Sequence, residues 1–166
     1  MAHEHLVTYL NDHLAGATMA IELLQHLERT YAGDAIARFA AELRLAIESD
    51  REQLQALMEH LGIAESRTRQ ATAWMAEKLT RLKLRIDDLK GGDFRLFEAL
   101  EALSLGIEGK QALWMALSAT SEVSPVLQML DYDTLIARAD EQRERVELKR
   151  LELAPRTLSP DPVPAD

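Results

Sequence analysis

Apolar residues recur at alternating intervals of four and three through the first sixty positions, and this rhythm constrains the fold more than any other feature of the chain. Leu6, Leu10, His13, Ala17, Ala20, Leu24, Leu27 and Tyr31 form one series, and Ile36, Ala40, Leu43, Ile47, Asp50, Leu54, Leu57 and Leu61 form a second. A mean spacing near 3.6 returns a side chain to one face of an α-helix, whereas a strand would need a period of two. A first helix is predicted from about His5 to Thr30 and a second, after Asp34, reaching His60. In the turn Tyr31-Ala32-Gly33-Asp34, Gly33 is the expected C-terminal cap and Asp34 the N-cap of the next helix. Gly62 closes the second helix.

The remaining punctuation extends this all-α reading. Of five prolines, four follow Ala154, and the glycines fall largely where helices would stop. Gly91-Gly92-Asp93 opens a third helix from Phe94 to about Ser118, and a fourth runs from about Asp133 to Leu153. Residues 1–153 are read as one helical bundle, and 154–166, with Pro155, Pro160, Pro162 and Pro164, as a disordered tail. The short first turn makes an antiparallel hairpin of helices one and two, and the dozen residues around Pro125 do the same for helices three and four. Some thirty residues join the two hairpins, enough to travel back along a helix of about 42 Å at 1.5 Å per residue and start helix three parallel to helix two. Within this crossover, Ala71, Trp74, Leu79 and Leu82 lie at near-helical spacing among basic residues, so it is expected to contain an amphipathic helix of its own.

Each seam is interrupted by a polar side chain. His13 breaks the first and Asp50 the second; counted from the turn, the two lie at about the same height, so a buried His13–Asp50 pair is predicted. In helix three, apolar almost all round, Glu101 and Glu108 share one stripe while Lys110 falls on the line of Leu100, Leu103, Ile107, Trp114 and Leu117. In helix four Gln142 breaks the seam of Tyr132, Leu135, Ala139, Val146 and Leu153, level with Glu108 or Lys110. A polar group buried without a partner costs about 1 to 3 kcal/mol, so a connected layer of His13, Asp50, Glu101, Glu108, Lys110 and Gln142 is expected. Such a layer has two readings: a hydrogen-bond network that fixes helix register, or a metal or proton site.

Short turn, long crossover and inward polar residues at mid-helix together resemble the ferritin-like superfamily. The segments Tyr9–Ala17 (YLNDHLAGA) and Leu105–Trp114 (LGIEGKQALW) are similar to a group of bacterial ferritin-like proteins without an assigned role. The resemblance covers about Leu6 to Leu153 and implies a ferritin-like four-helix bundle. Its di-iron members place a glutamate on each of two helices and Glu-x-x-His on each of the other two. No Glu-x-x-His occurs here; the corresponding inward pairs are Ile47 with Asp50 and Ala139 with Gln142. The expectation is a degenerate metal site with no cofactor. The alternative is a mononuclear iron or manganese site of His13, Asp50 and Glu108, one histidine with two carboxylates.

Other features narrow the partners. There is no cysteine, which excludes disulfides, thiolate zinc sites and cysteine nucleophiles. A net charge of -9 argues against nucleic acid. The basic stretch Trp74 to Arg85 could lie on an anionic membrane, although packing across the bundle is the stronger reading. His3, Glu4 and His5 sit at a fraying terminus, and the methionines read as core filler. The N-terminus has no signal-like pattern, so a cytoplasmic protein is expected, with a homo-oligomer, most simply a homodimer, as its own partner. Two functions remain: a non-catalytic binding, structural or interaction protein, or a metal-dependent oxidoreductase with an unusual ligand set.

Overall fold

The computed structural model describes residues 2–65 and 92–160. The described chain forms four long α-helices: α1 (Ala2–Thr30), α2 (Ala35–His60), α3 (Gly92–Ser121) and α4 (Tyr132–Leu158), with one 3-10 turn at Pro125–Leu127. The predicted crossover helix and the basic Trp74–Arg85 stretch lie outside the described residues. No helix among those described is long and apolar enough to cross a membrane.

Local chemistry sets the helix ends. Gly33 takes φ +95 in the first turn, a left-handed conformation that costs glycine nothing. Asp34 has the extended backbone of an N-cap but makes no side-chain capping bond. At the end of α2, Gly62 is again left-handed at φ +66; its N–H donates to the Glu59 carbonyl and that of Ile63 to the Met58 carbonyl. These are the two bonds of a Schellman stop, and its usual apolar clasp is present because Met58 and Ile63 are buried in one cluster. Before α4 the Asp131 carboxylate accepts from the Thr134 N–H at 3.1 Å and from the Thr134 hydroxyl at 2.7 Å, so the helix starts one residue before the predicted Asp133. These two bonds hold the Asp131 carboxyl below its usual range.

The expected disordered tail needs correction for its first residues. α4 continues through Pro155 to Leu158. Pro155 lacks the N–H that would reach the carbonyl of Leu151, but Leu151 is exposed and water can serve that carbonyl. Leu153 is buried, Ala154 packs on the core, and the Thr157 hydroxyl donates to the Leu153 and Ala154 carbonyls, so burial and capping outweigh the missing bond. Residues 161–166 lie outside the described chain.

The core has two halves. One gathers Leu24, Leu27, Leu43, Ile47, Leu100 and Ile107 with Val146 and Leu153. The other gathers Leu10, Leu14, Leu54, Leu57, Leu113, Trp114 and Leu117 with Leu127 and Leu135. The early residues of α2 and α3 share the first cluster with the late residues of α1 and α4. It follows that α2 runs parallel to α3, α1 parallel to α4, and each hairpin is antiparallel. α1 packs on α2 and on α3, and α3 packs on α4.

Candidate functional site

Between the half-cores lies a charged layer. On α2, Asp50 falls between Ile47 of one cluster and Leu54 of the other; on α3, Lys110 falls between Ile107 and Leu113; on α4, Gln142 follows Ala139. The seam therefore carries the Asp50 carboxylate into the centre, where it is 1% exposed. Lys110 Nζ donates to Asp50 Oδ2 at 2.5 Å and to Gln142 Oε1, and Gln142 Nε2 donates to the same Oδ2 at 3.0 Å. Three side chains from three helices thus close a ring, with Lys110 12% exposed.

A fourth residue, Arg138, was not anticipated. Its Nη2 stands 2.9 Å from Asp50 Oδ1, and its side chain is 34% exposed, so it reaches the layer from the solvent edge. Oδ1 nevertheless has no hydrogen bond, so the guanidinium contributes charge without an aligned N–H. The available signal was spacing: Arg138 precedes Gln142 by one helical turn and so stands on the same side of α4. The layer holds one carboxylate against two cations. Burial pushes the Lys110 ammonium below its ordinary range, with the nearby Arg138 charge acting the same way, while the Asp50 charge and hydrogen bond pull it back up.

The other expected members lie elsewhere. His13 makes no hydrogen bond or ion pair with Asp50, whose oxygens face Lys110, Gln142 and Arg138. Its ring instead meets Tyr9 edge-on, centroids 4.7 Å apart. Burial lowers its pKa, opposed by the Asp12 charge. The predicted His13–Asp50 pair is therefore not formed. Glu108 is more than half exposed and faces Arg143 at 3.5 Å, and Glu101 faces Arg150 at 3.4 Å; both tie α3 to α4 on the bundle surface. Arg150 also clamps Glu147 through three contacts of 2.7 to 3.2 Å, which lowers the Glu147 pKa.

These residues do not fit a metal. The alternative ligand set of His13, Asp50 and Glu108 is dispersed, and no group of three or more His, Asp or Glu side chains suited to an ion occurs among the described residues. A dication beside Asp50 would meet an ammonium and a guanidinium, and like charges at such range repel strongly in a dry core. What the layer can do is join the two hairpins, since Asp50 belongs to one and Lys110, Arg138 and Gln142 to the other. Comparison with known proteins finds no family model, no characterised protein and no solved structure that matches this chain.

Proposed function

We propose that the chain is a ferritin-like helical bundle with a non-catalytic binding, structural or interaction role, in which Lys110 stands where di-iron members of that superfamily hold metal. The observation that carries this reading is the Lys110 ammonium on the buried Asp50 carboxylate at 2.5 Å. It neutralises internally the one carboxylate of the layer that an ion would need. Parallel α2 and α3, joined by a long connection, support the ferritin-like part of the reading. A cytoplasmic setting and the lack of a nucleic-acid partner belong to the same proposal, the latter supported by the net charge of -9.

Elemental analysis of protein purified without a chelating tag, followed by calorimetric titration with manganese and iron(II), tests it. Substoichiometric metal and no saturable heat are expected. One tightly held iron, manganese or zinc per chain would replace this reading with that of a metal-dependent enzyme.

A further inference from the structure

The charges of the buried layer do not balance. Asp50 is its one carboxylate, whereas Lys110 and Arg138 each bring a positive charge, Nζ at 2.5 Å from Oδ2 and Nη2 at 2.9 Å from Oδ1. One surplus positive charge therefore stands at a carboxylate only 1% exposed, where a counter-charge is screened less than on the open surface. No other described side chain supplies it. Across the edge Glu42 is held by Arg145 at 2.8 Å, Asp140 accepts from Gln111 on α3, and Glu141, one turn beyond Arg138, makes no ion pair among the described residues.

Arg138 also has unused donors. A guanidinium carries five N–H groups in a planar fork, and none of those of Arg138 makes a hydrogen bond among the described residues. Its side chain is 34% exposed, at an edge where α2 and α4 meet through long polar side chains: Arg145 on Glu42, and Gln142 and Arg138 on Asp50. Water thus reaches the outer side of the fork, while its inner side faces Asp50 with Lys110 behind. A carboxylate matches such a fork with two parallel bonds and carries the single negative charge that the layer lacks. A phosphate dianion would exceed the surplus and meet Asp50 as a like charge.

We propose that Arg138 anchors a binding site for a small monocarboxylate at the α2–α4 edge, with Lys110 supplying the surplus charge that holds the anion. The site rests on the reading of the layer as a metal-free binding element and names the class of ligand for it. Because Arg138 is partly hydrated, a dissociation constant on the order of millimolar is expected.

Acetate is the probe, titrated into the full chain in EDTA at fixed pH and ionic strength and followed through the broadening of its own NMR signal. Saturable binding is expected, weakened at least about tenfold by Arg138→Gln. Lys110→Met cancels the surplus and should weaken binding about tenfold, whereas Asp50→Asn doubles it and should tighten binding about tenfold. Those opposite signs separate charge balance from damage to the layer, which would weaken binding in both variants. Arg138→Gln alters a partly exposed side chain, so it remains decisive if the core variants fold poorly. No saturable response up to about 100 mM overturns the proposal, as does binding that Arg138→Gln leaves unchanged or that both core variants weaken. Acetate silence in metal-free protein removes this site alone, whereas metal in the parent removes the reading on which it rests.

Discussion

Asp50 gathers two cations and an amide around one buried carboxylate, and the environment of each partner decides what its loss should do. Asp50→Leu strands the Lys110 ammonium beside the Arg138 guanidinium, and breaking a buried pair in this way costs about 3 to 5 kcal/mol. Lys110→Met leaves Asp50 with Arg138 and Gln142, so its cost should be smaller, and it should create no manganese or zinc affinity because only one carboxylate is present. The triple change Asp50→Leu/Lys110→Met/Gln142→Leu should restore most of the parent stability, since an apolar replacement of a whole buried network is often neutral. Urea unfolding orders these variants, and a triple variant as unstable as Asp50→Leu would contradict the account. Asp131 and Glu147 act only in acid, below 3.8 and 4.5, and above that range two other lowered pKa values set the pH response. Burial holds His13 below 6.5 and Lys110 below 10.5 in the fold. Between each lowered value and the ordinary one the unfolded chain binds more protons, so stability rises with pH across both windows and is lost on acidification. Tyr31 and Tyr132, raised above 10.0 mainly by burial, act oppositely once pH passes 10.0, because there the folded chain keeps protons that the unfolded chain releases. Urea midpoints should therefore climb from about pH 5 to a maximum on the alkaline side. Lys110→Met should flatten the alkaline limb, and a maximum near neutrality unmoved by that change would rule the account out.

Helix ends and helix interiors make opposite demands on glycine. Gly62 is left-handed in the stop after α2, whereas Gly106 lies within α3, and an added Cβ would meet no atom within 4 Å at either position. Gly62→Ala should therefore destabilise by about 1 kcal/mol through backbone strain alone, and Gly106→Ala should stabilise by about 0.5 to 1 kcal/mol through lost freedom in the unfolded chain. Thermal melts of the two variants should move in opposite directions. The helices were legible because the seams of α1 and α2 repeat without a slip and glycines mark their ends. The end of α4 was not, since proline reads as a stop while Leu153 and Ala154 still have core to cover. The inward facing of Asp50 and Gln142 could likewise be read from the seams. A seam reveals that a side chain points inward, but not which of three neighbouring helices it meets. Counting residues across one hairpin therefore paired Asp50 with His13, whereas its cations arrive from the other hairpin. Glu101 and Glu108 could be drawn inward only because α3 is apolar almost all round, and the arginines of α4 that hold them outside lie more than thirty residues along the chain.

Among the described residues, two apolar half-cores hold four helices and a charged layer lies between them. On the proposed reading apolar packing rather than ligation holds the helices, so EDTA should leave the melting temperature unchanged; a fall of more than about 10 °C would mean that a metal is part of the fold. Trp114 adds a local cost, for its buried indole N–H finds no acceptor among the described residues. Trp114→Phe removes that orphan donor along with some volume and should cost less than the 3 to 5 kcal/mol range for deleting a large aromatic side chain. The layer also has a place in time. Its hydrogen bonds span 60 residues from Asp50 to Lys110 and 92 from Asp50 to Gln142, whereas each hairpin closes on itself through a short turn. Loop closure favours the near contacts, so the hairpins are expected to form first and the layer to lock when they meet, late on the folding route. In stopped-flow experiments Asp50→Leu should then leave the refolding rate almost untouched and act nearly in full on unfolding, making this ring a brake on escape from the native state rather than a guide into it.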